Sequence, residues 1–262
     1  MSAANPETVL VTGASSGIGL ELARCFAAEG SRLILLARNT PALEKLAEEL
    51  RRDYKVEAIV LTADLSLPET PKKIFSELKG SGIVVHVLVN NAGFGAHGLF
   101  SKLPLQWQLE MIQVNVTALT ELTGLFLPGM VERHRGGVLN VASVAGFVPG
   151  PGMAVYFATK AFVLSFSEAL AGELVGTEVK VMALCPGPTG TNFGKVAHFT
   201  SQTRLIRVAR MTAKKVALKG HRDFRAGCVV SVSGWRNRLL VLLIRLTPRF
   251  LIRRITRKFN GF

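Results

Sequence analysis

The sequence has 262 residues, 48% of them apolar, enough for one buried α/β core, and it contains no low-complexity stretch or fixed-period repeat. Its three cysteines, Cys25, Cys185 and Cys228, are too few and too scattered for a disulfide framework, and no Cys/His cluster has metal-ligand spacing, so a reducing compartment and a metal-free site are expected. The net charge of +14 is concentrated late in the chain: from Lys195 onward there are 17 Lys/Arg and one acid, Asp223, whereas residues 1–194 carry 15 basic and 17 acidic residues.

In chain order, residues 1–7 are polar and lack a charged region followed by an apolar core, so no secretory signal is expected and the reading is cytoplasmic. Residues 8–11 read as a strand and 16–29 as a helix. Residues 32–37 form a continuous apolar strand, and 40–53 a charged amphipathic helix with Pro41 in its first turn. A third strand is expected at 57–62, a helix at 71–78, a fourth strand at 84–89 and a long helix at 105–126. Strands at 137–142 and 180–184 flank a helix at 155–174. Uninterrupted apolar runs suit parallel strands buried on both faces, and their alternation with helices predicts a doubly wound Rossmann-type α/β sheet in a single domain, residues 1–234.

Gly13-Ala14-Ser15-Ser16-Gly17-Ile18-Gly19 follows the first strand and opens the first helix. In that context glycines permit a tight turn and close approach of a pyrophosphate, and the helix N-terminus offers free N–H groups to it. The second strand ends at Ala37-Arg38-Asn39 with no acid to accept from a ribose 2′-hydroxyl; Arg38 can instead pair with a 2′-phosphate, which favours NADP(H) over NAD(H). Asp64 and Leu65, past the third strand, are candidates to meet the adenine. Asn90, Ala92 and Gly93 follow the fourth strand, and Pro186, Gly187, Thr189 and Thr191 form a rigid turn after the sixth, all at the sheet edge where ligands bind.

Tyr156 and Lys160 stand four apart on one helical face, so the ammonium is expected to lower the phenol pKa for proton transfer. Ser143 lies at a strand end thirteen residues earlier, and Asn115 is a polar residue inside an apolar helix, with a water-mediated link to Lys160 as one reason for it.

Taken together, the TGASSGIG turn, the NNAG stretch, Asn115, Ser143, the YFATK segment and the PGPTGT turn resemble the classical short-chain dehydrogenase/reductase family over residues 8–193. The resemblance implies catalysis by Ser143, Tyr156 and Lys160, completed by Asn115. It also implies a carbonyl/alcohol oxidoreductase and a homodimer or homotetramer. A 3-oxoacyl group, a steroid-like ketone, a retinoid-like alcohol and a simple aldehyde all fit that chemistry. A non-catalytic nucleotide-binding or membrane-associated scaffold of the same fold is the alternative.

Residues 192–225, rich in Arg and Lys, are expected to be a substrate lid, and residues 228–232 a last strand. Residues 235–262 read as a basic amphipathic tail, with Leu251, Ile255 and Phe259 on one stripe and Arg249, Arg253 and Arg257 on another. The tail is read as packing on this or a partner subunit, or as making peripheral contact with an anionic membrane. No nucleic-acid motif accompanies its charge, so nucleic acid is not expected.

Overall fold

The computed structural model describes residues 6–190 and 211–261. Its main elements are β1 (Thr8–Thr12), α1 (Gly17–Ala28), β2 (Arg32–Ala37), α2 (Thr40–Tyr54), β3 (Ala58–Thr62), α3 (Thr70–Gly80), β4 (Val87–Asn90), α4 (Leu105–Ile112), α5 (Ala118–Glu132), β5 (Gly136–Val141), α6 (Ala154–Glu173) and β6 (Val179–Cys185). They continue with β7 (Thr189–Gly190), β8 (Met211–Thr212), α7 (Ala213–Arg225), β9 (Val230–Val232), α8 (Trp235–Leu246) and α9 (Arg249–Phe259).

Seven strands form one sheet in the order β3-β2-β1-β4-β5-β6-β9, every neighbouring pair parallel. Alternate residues of each strand feed opposite cores. Val9, Val11, Leu33, Leu35, Val87 and Val89 pack with Leu22 and Phe26 of α1, Leu43 and Leu50 of α2, and Val216 and Phe224 of α7. Leu10, Ile34, Leu36, Leu88 and Val138 pack with Ile74 of α3 and Leu122, Phe126 and Met130 of α5. The strand order reverses between β1 and β4, which is where such sheets open a crevice at their carboxyl ends. The expected Rossmann-type sheet is therefore the observed one.

Two local differences matter. The helix expected at 105–126 is broken by a π-turn, Gln113–Thr117, and continues past Pro128 to Glu132, because its buried stripe runs on to Met130. Two helical stretches, Leu105–Glu132 and Ala154–Glu173, are apolar and long enough to cross a membrane by composition; the first packs Leu122, Phe126 and Met130 on the sheet, and the second packs Val163 and Leu164 there.

The expected lid is also partly corrected. Residues 213–225 are α7, a sheet-covering helix. The Phe26 and Phe224 rings meet edge-on at 6.3 Å, His221 Nε2 lies 3.0 Å from Glu29 Oε2, and Arg225 pairs with both Glu29 and Glu7. Residues 192–210 lie outside the described residues, as does Thr191. Thr189 pairs with Met211 and Gly190 with Thr212, which makes β7 and β8 a short parallel pair.

Candidate active site

A cleft of about 1000 Å³ runs along the carboxyl ends of the central strands, from Arg38 and Asp64 at one end to the tail helices at the other. The β1–α1 turn forms its first wall. Gly13 and Gly17 have φ of +65° and +61°, conformations that a side chain would strain. A Cβ on Gly13 would also fall 2.8 Å from Asn91 Nδ2 and 3.0 Å from Ala92 Cα. Ser16 occupies the N-cap of α1 but makes no side-chain cap hydrogen bond, and no acid stands in the first turn. The helix therefore presents open N–H groups and a partial positive charge to the cleft, the donor set that a pyrophosphate requires. Ser15, Ser16 and Ile18 line the same wall.

Gly19 does not line the cleft: a Cβ there would sit 2.5 Å from Gly13 O and 2.3 Å from Asn91 Nδ2, so its smallness lets the helix close on the turn. Asn90 does not line the cleft either. It is buried, and its Nδ2 donates to Thr123 Oγ1 at 3.0 Å and Asn140 Oδ1 at 2.9 Å, which joins β4 to β5 and α5 beneath the cleft.

Asn91, which sequence reasoning passed over, faces the cleft instead. Its Nδ2 donates to Thr12 O at 2.9 Å and Gly13 O at 3.1 Å, while Thr12 Oγ1 accepts from Asn91 N and Ala92 N. The period-2 alternation of β4 was the available signal: neighbouring asparagines at a strand end point opposite ways.

At the end of the cleft beside β2 and β3, Arg38 is exposed, and its Nη1 lies 3.7 Å from Asp64 Oδ2. Asp64 Oδ1 accepts from Ser66 N at 2.9 Å. Burial opposes ionisation of Asp64, but Ser66 and the Arg38 charge outweigh it and hold the carboxyl below its usual range. Leu65 is buried against the cleft.

Ser143, Tyr156 and Lys160 converge at the floor of the cleft. Lys160 Nζ donates to Val141 O at 2.8 Å and lies 6.0 Å from the Tyr156 ring centroid. Burial lowers the Lys160 pKa to about 8. Burial also pushes the Tyr156 phenol up to about 12, while a hydrogen bond with the Ser143 side chain pulls the other way. The net shift of the phenol is upward rather than the expected lowering: desolvation outweighs any pull from the Lys160 ammonium, which donates to a carbonyl. Ser143 Oγ accepts from Ala145 N at 3.1 Å, which caps a short 3₁₀ turn, Val144–Phe147, and fixes the hydroxyl.

Asn115 lies in the π-turn, which brings its amide out of the regular helical ladder. Its Oδ1 accepts from Phe94 N at 3.1 Å, and its Nδ2 donates to Phe94 O at 2.9 Å and Thr159 Oγ1 at 3.1 Å. Thr159 in turn donates to Tyr156 O at 2.7 Å. A Cβ on Gly93 would fall 2.9 Å from Asn115 Oδ1 and 3.5 Å from Lys160 Nζ, so only glycine lets the two approach there.

Pro186, Gly187 and Thr189 line the cleft opposite, and a Cβ on Gly187 would fall 2.2 Å from Asn237 Nδ2 at the start of α8. The substrate end is apolar, walled by Phe94, Trp107, Val148, Met153 and Phe157 and by Leu240, Ile244 and Ile252 of the tail helices. The tail therefore completes the cleft. Asn260 Nδ2 donates to Pro151 O at 2.8 Å, and Asn260 O lies 3.0 Å from His97 Nε2. Cys185 is buried, which pushes its thiol up to about 12 and suits packing rather than nucleophilic attack. No cluster of three metal-ligating side chains occurs among the described residues.

The sequence profile of the short chain dehydrogenase family matches residues 7–200. The very-long-chain 3-oxoacyl-CoA reductase of Rattus norvegicus is 34% identical over 194 residues, covering 72% of this chain and 62% of that protein. The chain spans about six-tenths of the length of curated relatives such as these. A short-chain dehydrogenase from Sphingobium yanoikuyae, solved with NADPH, superposes with a TM-score of 0.82 at 33% identity, over 90% of this chain and 92% of that one. One from Burkholderia phymatum, solved with NAD, gives 0.81 at 26% identity, over 93% and 94%. Sequence and overall fold agree with these relatives: the chain belongs to the short-chain dehydrogenase/reductase family.

Proposed function

We propose that the chain is an NADP(H)-dependent oxidoreductase that interconverts a carbonyl and an alcohol, working as a reductase of a lipophilic ketone, aldehyde or 3-oxoacyl group. One observation carries this reading. Ser143, Tyr156 and Lys160 meet midway along a cleft whose one end is an uncapped helix N-terminus and whose other end is apolar. The bound dinucleotide would supply or accept hydride at carbon. Gly13, Ser15, Ser16, Gly17 and Ile18 would hold its pyrophosphate, Asp64 and Leu65 its adenine, and Ala92, Gly93, Pro186, Gly187 and Thr189 its nicotinamide side.

Tyr156 acts as the proton donor. Burial raises the phenol to about 12, so it carries its proton at neutral pH, the form a proton donor needs. Ser143 donates a hydrogen bond to the same oxygen and polarises it. Lys160 holds the ribose, and its charge stabilises the phenolate left after transfer. Asn115 positions this group by fixing the Phe94 backbone on one side and Thr159 on the other.

Tyr156→Phe lowers turnover by roughly 100- to 10,000-fold while leaving NADPH affinity nearly unchanged, followed by NADPH absorbance over a panel of carbonyls. Near wild-type rates in that variant would sink the acid/base assignment. The preference for NADP(H) rests on Arg38, whose planar fork suits a 2′-phosphate, and on the lack of an acid at Ala37-Arg38-Asn39 to accept from a free 2′-hydroxyl. Arg38→Ala weakens NADPH binding about tenfold and NADH binding little. Equal losses for both cofactors contradict that preference.

Two further parts belong to this reading. Leu105, Leu109 and Ile112 of α4 and Phe162 of α6 are exposed apolar side chains on neighbouring helices, which favours a homodimer or homotetramer. The basic tail favours peripheral contact with an anionic membrane.

A further inference from the structure

The tail helices present two different apolar faces. On the inner side, Leu240, Leu243, Ile244 and Ile252 line the cleft. On the outer side of α8, Trp235, Leu239, Leu242 and Leu246 recur at i, i+4, i+7 and i+11 and are 71%, 49%, 57% and 78% exposed. They form one continuous stripe along the helix. Phe250 of α9 is also exposed, as are Leu99 and Phe100, which follow His97, the residue that meets Asn260 at the end of α9. Two sides of the substrate mouth are thus rimmed by unburied apolar side chains.

The charge around this rim has one sign. Residues 235–262 contain Arg236, Arg238, Arg245, Arg249, Arg253, Arg254, Arg257 and Lys258 and no acid. A second copy of the same face would bring eight cations against eight. An anionic bilayer complements both features at once, since its headgroups meet arginines and its acyl region takes up the stripe.

We infer that the mouth of the cleft sits against an anionic bilayer, with α8 lying in the interface, so that the substrate is a lipid that enters from the leaflet between α8, α9 and the residues 97–100. This deepens the proposed carbonyl reduction by naming where its substrate resides. Docking geometry and chemistry are separable: the outer stripe is not part of the cleft lining, so altering it leaves the reaction itself in place.

Trp235 is a built-in probe of this arrangement. Vesicles of phosphatidylglycerol and brominated phosphatidylcholine in equal parts are expected to quench the full-length protein's fluorescence, and the Trp235→Phe variant, which keeps the half-buried Trp107 in the cleft wall, loses most of that quenching. Brominated phosphatidylcholine alone quenches far less, and salt reverses the effect. The triple variant Leu239→Gln, Leu242→Gln, Leu246→Gln partitions onto the anionic vesicles about tenfold more weakly or worse. It retains reduction of a short water-soluble carbonyl and loses reduction of a long-chain carbonyl held in the vesicles. An unquenched Trp235, or equal partitioning of wild type and triple variant, overturns the inference. So does a concentration-dependent dimer that the triple variant abolishes without any vesicle binding. If no carbonyl is reduced by either protein, the function proposed above fails, while the quenching still decides the docking.

Discussion

At Lys160 the fold holds an ammonium that is 6% exposed, with Nζ on the Val141 carbonyl. Burial brings its pKa to about 8, below the ordinary 10.5 expected in the unfolded chain. The unfolded state therefore binds more protons between those values, and stability rises with pH across that window. Below about 8 the full penalty is present; above 10.5 it is gone. Replacing Lys160 by Met removes the slope, so the stability difference between the two proteins in urea titrations should change by up to about 3 kcal/mol across the window. Parallel curves would mean that Lys160 is not desolvated as described. A side chain held at this cost to the fold suits a residue kept for its charge beside Tyr156. The residue types and spacings of this site were legible in the sequence, but the direction of the Tyr156 shift was not. Spacing says which groups are neighbours on a helix; it does not say that Lys160 points at Val141 O or that water is excluded from both.

Among elements, the strands were the most legible, because each is an apolar run between turn residues, and β2 falls on residues 32–37 as expected. The carboxyl ends of those strands then fixed where the glycine turn and Ser143 would lie. What the sequence concealed depends on the neighbour an element packs against. The π-turn at Gln113–Thr117 has no composition cue, yet it aims Asn115 at the Phe94 backbone. Asn90 and Asn91 are identical in type, and only the pleat separates a buried link from a cleft residue. α7 resembled a basic lid because its Lys and Arg dominate the composition. Its Val216, Ala217 and Phe224 nonetheless lie on one buried stripe against α1, and that 3.6-residue period was the signal that charge obscured.

Over the whole molecule, the end of the chain closes a site built by its first two-thirds. Asn260 reaches Pro151 across 109 residues of sequence and His97 across 163. It is 4% exposed, and its amide contributes one of the few polar contacts at the apolar end of the cleft. Asn260→Ala removes the hydrogen bond to Pro151 O while keeping the backbone carbonyl that meets His97. A lost bond of this kind costs about 1–2 kcal/mol, a factor of roughly 5–30. Because the latch holds α9 over the substrate end and not over the dinucleotide end, that loss should enter KM for a long-chain carbonyl and leave NADPH affinity unchanged. A short carbonyl, which reaches Tyr156 without touching Ile252 or Ile255, should show little change in KM, and kcat should hold for both. Steady-state kinetics on a series of carbonyls of increasing chain length read this directly. An effect that does not grow with length would show that the tail only stabilises the fold, whereas growth with length makes α8 and α9 part of the substrate-binding wall.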